Sequence, residues 1–127
     1  MTRIAYDSND VIASGPYSNA IDAGNLVYFS GQTAMNSEGG KALIGDISKQ
    51  TEQCFRNLLA ILSAAGLNES NVVKVNVYLT DMNNFSAMNE VYKTYFSSPY
   101  PARTCIAVLG LPLGAEVEIE MIANKDH

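Results

Sequence analysis

DISKQTEQCFRNLLAILSAAG, residues 46–66, followed closely by VVKVNVYL, residues 72–79, is the stretch whose two periodicities decide the fold. In the first segment Ile47, Thr51, Cys54, Phe55, Leu58, Leu62 and Ala65 recur at helical spacing and share one face. Asp46 stands where a helix needs a side-chain acceptor, and Gly66 where a left-handed residue ends one, so the spacing predicts a helix from Asp46 to Ala65. The second segment is β-branched and aromatic. It predicts a strand from Val72 to Leu79, with Val73, Val75, Val77 and Leu79 facing one way.

Working upstream, Leu26-Val27-Tyr28-Phe29-Ser30 is a short apolar run bounded by Gly24-Asn25 and Gly31. Tyr17 to Asp22 reads as its partner strand, joined through the turn Ala23-Gly24-Asn25. Downstream, a second helix is predicted from about Met82 to Phe96, with an apolar stripe of Phe85, Met88, Val91, Tyr92, Tyr95 and Phe96. Pro99 and Pro101 end it. Two strands close the chain, Arg103 to Val108 and Glu116 to Ala123. Two helices and about six strands, five of which stand out in the order ββ-α-β-α-ββ, predict an α+β fold, a mixed six-stranded sheet with both helices on one face. The strands are not polar on both sides, so the second face calls for cover by oligomerisation.

At 127 residues the chain is the size of a single domain, 1–127, able to bury a core without staples. With 47% hydrophobic and 17% charged residues it is not composed as a disordered chain. The net charge is -5 and the eight basic residues form no run, which argues against a nucleic-acid partner. No apolar stretch suits a signal peptide or a membrane span, so no membrane partner is expected and Cys54 and Cys105 are read as free thiols of a cytoplasmic protein. The only histidine is His127, which argues against a histidine triad, a histidine-rich metal site and a histidine base. No phosphate loop, dinucleotide fingerprint or CxxC pair is present.

Chemistry-bearing residues collect near the end of the chain. Arg103, Cys105 and Ala107 share one strand face, and Glu118 and Glu120 share another. If Ala107 pairs with Glu118, the guanidinium and both carboxylates stand on one surface; a slip of one residue undoes this. Two readings stay open there, a solvated cross-strand ion pair and an anion site. Asn89 falls on the apolar side of the second helix and needs a partner, either a core group or a ligand. Tyr17 follows Gly15-Pro16 and reads as a packing tyrosine. In Ser30-Gly31-Gln32 the glycine permits either a simple turn or close approach of a ligand to the backbone. Cys105 has no neighbour in sequence that would activate its thiol and reads as a core cysteine.

These residues match a series of motifs. Gly15-Pro16-Tyr17-Ser18-Asn19-Ala20, Gly24-Asn25-Leu26, Ser30-Gly31-Gln32, Ala64-Ala65-Gly66-Leu67, Tyr78-Leu79-Thr80-Asp81-Met82 and Met88-Asn89-Glu90-Val91-Tyr92 stand in order along the chain. Tyr100-Pro101-Ala102-Arg103-Thr104-Cys105, Leu111-Pro112 and Val117-Glu118-Ile119-Glu120-Met121-Ile122-Ala123 complete it. Together they resemble the RidA/YjgF family of reactive intermediate deaminases over nearly the whole chain. Asn19 departs from the glutamine of many members.

The resemblance implies a chorismate-mutase-like trimeric fold, with one site in each cleft of a homotrimer. It implies hydrolysis of 2-imino acids and their enamine tautomers to 2-oxo acids and ammonia, with no metal or cofactor required. By position, Arg103 would bind the substrate carboxylate and Glu118 would orient or deprotonate the attacking water. The Gly31 carbonyl and the Cys105 backbone would contact the substrate, Tyr17 and Asn89 would line the cleft, and Ser30 would flank it. Two other functions are compatible with the resemblance: a non-catalytic sensor of 2-oxo or amino acids regulating branched-chain amino-acid metabolism, and a ribonuclease or translation inhibitor. The acidic balance counts against the last.

Overall fold

A computed structural model describes residues 2–126; His127, the single histidine, lies outside the described residues. Six strands form one mixed sheet: β1 (Ile4–Tyr6), β2 (Ala20–Asp22), β3 (Leu26–Gln32), β4 (Val72–Leu79), β5 (Ala102–Ala107) and β6 (Val117–Asn124). Their order across the sheet is β1-β2-β3-β6-β4-β5. All neighbours are antiparallel except β4 and β5, which run parallel. Two helices, α1 (Ile47–Ala64) and α2 (Phe85–Tyr92), cover one face.

The long helix forms as its sequence dictates. The Asp46 carboxylate accepts from the Lys49 N–H at 3.0 Å, satisfying one of the orphan donors of the first turn. Past the C-terminal end Gly66 takes φ 76°, a conformation a side chain disfavours. Cys54, Phe55, Leu58, Ile61 and Leu62 are buried against Val27, Phe29, Val75, Val77, Ile119 and Met121 of the sheet. Phe55 also carries the second helix: it stacks on Tyr95 at 4.5 Å between centroids and meets Tyr92 edge-on at 5.7 Å.

The structure differs from the sequence-based expectation in four places. The second helix is shorter, because Met82–Asn84 make a separate 3-10 turn capped by Asp81 and helical geometry ends after Tyr92. Tyr95 and Phe96 still pack on Phe55 from the turn that follows. The expected strand from Tyr17 is paired only over Ala20–Asp22, and β1, which the sequence did not betray, pairs with it. Val73 is 41% exposed, because the register against β6 shifts between Val72 and Lys74 and turns Val72 inward instead.

The fourth difference bears on function. β5 does not pair with β6; β4 lies between them. Ala107 pairs with Leu79, and Leu79 pairs with Val117 rather than Glu118. The anticipated pairing of Ala107 with Glu118 therefore does not form. The crossover through α2 lays β5 parallel to β4 on the side away from β6.

The far end of the sheet is tied by one carboxylate. Asp22 accepts from Lys125 at 2.7 Å, Tyr6 at 2.7 Å and the Gly24 N–H at 2.8 Å, joining β1, β2 and the end of β6. Lys125, then Tyr6 and the Gly24 N–H, hold the carboxyl down to about 2. A depressed carboxyl contributes its stability above the ordinary aspartate range and loses it as pH falls through its folded value. In urea titrations the stability gap between wild type and Asp22→Asn is expected to hold steady from pH 7 to about 5 and to shrink from about pH 4 toward 2. A gap that persists undiminished at the acid end would show that the tie is not ionic.

Candidate functional site

Residues directly opposite on paired strands share a face. Arg103 pairs with Val75, and Val75 with Met121, so Arg103 lies on the helix-covered face. Glu118 pairs with Tyr78 and Glu120 with Asn76, which places both carboxylates on the open face. The candidate residues thus fall into two groups on opposite sides of one sheet.

The first group surrounds Arg103. Its Nη1 donates to Asn89 Oδ1 at 2.6 Å. Its guanidinium lies 4.6 Å from the Tyr92 ring centroid and 5.4 Å from that of Phe85. Phe85, Asn89 and Tyr92 occupy one face of α2, spaced to present two rings and an amide to a single cation. Among the described residues no carboxylate lies within ion-pair distance of Arg103; the two ion pairs present are Lys93–Glu90 and Lys125–Asp22. The guanidinium is half-buried, with one prong fixed and no acid beside it, a geometry that leaves its other donors free for a planar anion. A cleft lined by Asn89, Tyr92, Lys93, Tyr100, Pro101 and Arg103 opens beside it. Cys105 is half-buried on the same face; burial pushes its thiol up, against a partial pull from Arg103, which disfavours the thiolate.

The second group lines a recess of about 200 Å³ on the open face, with Tyr17, Ser30, Gly31, Asn36 and Glu118 in its wall. That volume suits a small metabolite better than a nucleotide or a peptide. Gly31 sits where β3 shifts register, between Phe29 and Gln32. A Cβ there would stand 2.9 Å from Glu118 Cδ and 3.0 Å from Oε1, so the missing side chain is the seat of the glutamate. Burial, and then the neighbouring Glu120, raise the Glu118 carboxyl above its ordinary value. Glu120 itself is occupied by Tyr78 and by Asn76 at 3.2 Å. Ser30 spends its hydroxyl on the Ser18 carbonyl at 2.7 Å and so acts on the fold. Tyr17, which its local sequence reads as a packing residue and the resemblance places in the cleft, is 38% exposed and hydrogen-bonded at its hydroxyl to Ser14 and Asn36.

Ser14 and Asn36 escaped the sequence reading. The only local signal was Thr33 three residues before Asn36, a capping pair that here closes a single 3-10 turn.

The chain is thus a small α+β domain with an arginine free of ion pairs on one sheet face and a raised glutamate on the other. Comparison makes that more specific. Residues 8–125 match the family described as Endoribonuclease L-PSP, and the chain belongs to this family, that of the RidA/YjgF proteins. It is 45% identical over 111 residues to 2-iminobutanoate/2-iminopropanoate deaminase of Mus musculus, covering 87% of this chain and 82% of the relative. Among solved structures it is similar to RidA from the Antarctic bacterium Psychrobacter, at 40% identity and TM-score 0.86, covering 96% and 99% of the two chains. It is also similar to E. coli TdcF with bound serine, at 35% identity and TM-score 0.88, covering 96% and 98%.

If Asn89 fixes Arg103 for an anion, Asn89→Leu should weaken binding of 2-oxobutanoate by roughly tenfold, the ordinary worth of a charged hydrogen bond at a partly exposed site. Calorimetric titration of the two proteins measures this. Equal affinities would mean that the rings of Phe85 and Tyr92 orient the guanidinium unaided.

Proposed function

We propose that the protein is a hydrolase of 2-imino acids and their enamine tautomers, releasing 2-oxo acids and ammonia, and that its site is completed between two copies of the chain in a homotrimer. The carrying observation is Arg103. A cation stacked on two rings, with one prong held by Asn89 and no acidic neighbour, matches the carboxylate common to such substrates. The relative from Mus musculus carries the deaminase name, and the E. coli relative holds serine, a small molecule with the same carboxylate.

The chemistry asks little of the protein. Imines of small acids hydrolyse in water, and a positioned base adds about 10²–10⁴-fold. Glu118 beside the Gly31 backbone is such a base: its raised carboxyl is better matched to accepting a proton from water than an ordinary glutamate. Cys105 contributes backbone rather than thiol.

One chain cannot supply both groups to one substrate, since the sheet separates them. The open face also carries uncovered apolar residues, with Tyr28 48% and Ile106 46% exposed. A neighbouring copy seated there would cover them and bring its own Arg103 toward Glu118. A ribonuclease reading, suggested by the family's description, lacks a run of basic side chains to hold phosphates. No described helix is long and apolar enough to cross a membrane; a cytoplasmic setting is our reading from the deaminase function, whose substrates arise in amino-acid metabolism.

The purified protein is expected to accelerate ammonia release from 2-iminobutanoate generated in situ by threonine dehydratase. Arg103→Ala should abolish the acceleration, and Glu118→Gln should slow it on the order of 10²-fold or more. A wild-type rate equal to that of buffer would favour the sensor function. Because the base works ionised, kcat/KM should fall on acidification with a midpoint above the ordinary glutamate value of about 4.3, and Glu120→Gln should move that midpoint lower. Sedimentation at micromolar concentration should show a trimer, and a stable monomer would contradict the shared site.

A further inference from the structure

The hydroxyl of Tyr17 is wired more tightly than an exposed tyrosine requires. Asn36 is 6% exposed and the orientation of its amide is settled by two partners. Its Oδ1 accepts from the Thr33 N–H at 3.0 Å, which only the oxygen can do. Its Nδ2 donates to the Ile12 carbonyl at 3.0 Å, which only the nitrogen can do. The remaining N–H of that nitrogen therefore points at the Tyr17 oxygen, 3.0 Å away. The Ser14 backbone N–H approaches the same oxygen at 3.3 Å. The phenol oxygen thus receives two N–H donors, and its own hydrogen has two outlets. One is the rotatable Ser14 hydroxyl at 3.2 Å; the other is the recess that Tyr17 shares with Glu118.

We propose that Tyr17 is the general acid of this site, giving its phenolic hydrogen to the substrate nitrogen while Glu118 removes one from water. The proposal rests on the deaminase function argued above and supplies the proton donor that function needs. As water oxygen bonds to the imine carbon, the C=N π pair moves to nitrogen and takes the Tyr17 proton, and Glu118 takes the proton water gives up. The product is a neutral carbinolamine beside a phenolate and a carboxylic acid. In the second half, the carbinolamine hydroxyl returns a proton to the phenolate as C=O forms. The C–N bond breaks, and nitrogen takes the Glu118 proton and leaves as ammonia. Both side chains end as they began, and the sum is imine plus water to 2-oxo acid plus ammonia.

The two N–H donors stabilise the phenolate that the first half creates. Partial burial opposes ionisation of Tyr17. The Ser14 hydroxyl, the Ser14 N–H and the Asn36 amide outweigh it, so the phenol lies below its ordinary value despite the nearby Glu118 charge. Asn36 is then a positioning residue, acting on the reaction through the tyrosine.

The test combines two variants with the in-situ imine assay. Tyr17→Phe keeps the ring and should lower kcat by about 100-fold or more, with 2-oxobutanoate affinity unchanged within roughly twofold. Because removing the hydroxyl strips the buried Asn36 of a partner and could unsettle the fold, 3-fluorotyrosine placed at position 17 provides a second measurement. It keeps the hydroxyl and makes it more acidic. The basic limb of kcat/KM should move to lower pH by the same interval as the phenol titrated by ultraviolet difference against Tyr17→Phe. A near-wild-type kcat in a folded Tyr17→Phe, or a basic limb that stays put when the phenol moves, overturns the proposal alone. A wild type that does not accelerate imine hydrolysis overturns it together with the deaminase function.

Discussion

Alternation along a strand is the constraint on which the rest depends. Side chains of β4, β5 and β6 point to one sheet face or the other with period two, and the registers leave no freedom in which face each takes. Arg103 falls with Val75 and Met121 on the side of the helices; Glu118 falls with Tyr78 on the other. The sheet core is packed with valine, isoleucine and leucine and cannot rotate a residue through itself. A reaction needing both charges must draw them from two chains. On the proposed function the monomer is a half-built site repeated on two faces, and assembly would then serve the reaction as well as cover Tyr28 and Ile106.

Each half is prepared by the element behind it. α2 is short, but its Phe85, Asn89 and Tyr92 face β5 and fix a guanidinium that would otherwise swing freely. The register shift in β3 brings Gly31 under Glu118, and burial there raises the carboxyl. The turn at Thr33–Asn36 holds an amide against the Tyr17 hydroxyl. Desolvation, stacking and directed hydrogen bonds thereby place Arg103, Glu118 and Tyr17 in three different environments.

Much of the scaffold was legible in the sequence because its signals are local. The periodicity of α1, its Asp46 cap and the β-branched run of β4 each announce themselves within a few residues. The α+β layout and five of the six strands followed from adding such pieces. What stayed hidden was non-local. Nothing in Arg103–Val108 states that its partner is β4 rather than β6, so the face shared by arginine and glutamates was misjudged. The bulge that turns Val73 outward is a property of pairing and not of composition. β1 is three residues long, too short for a period to show. Among site residues, Arg103, Glu118 and Asn89 stood out as charges or amides in apolar patterns. Tyr17 was placed in the cleft by the resemblance alone, because its partners Ser14 and Asn36 become meaningful only once the chain has folded around them.

The central claim is that one reacting centre takes its cation from one chain and its carboxylate from another. Mixing Arg103→Ala and Glu118→Gln chains after unfolding, and refolding them together, tests it most directly. Each preparation alone should be nearly inactive toward 2-iminobutanoate. Random co-assembly should restore roughly a quarter of the wild-type rate per site, since that share of interfaces joins an intact Arg103 to an intact Glu118. A mixed preparation verified to contain hybrid oligomers, yet no more active than its parents, would place both groups in one chain and contradict the account.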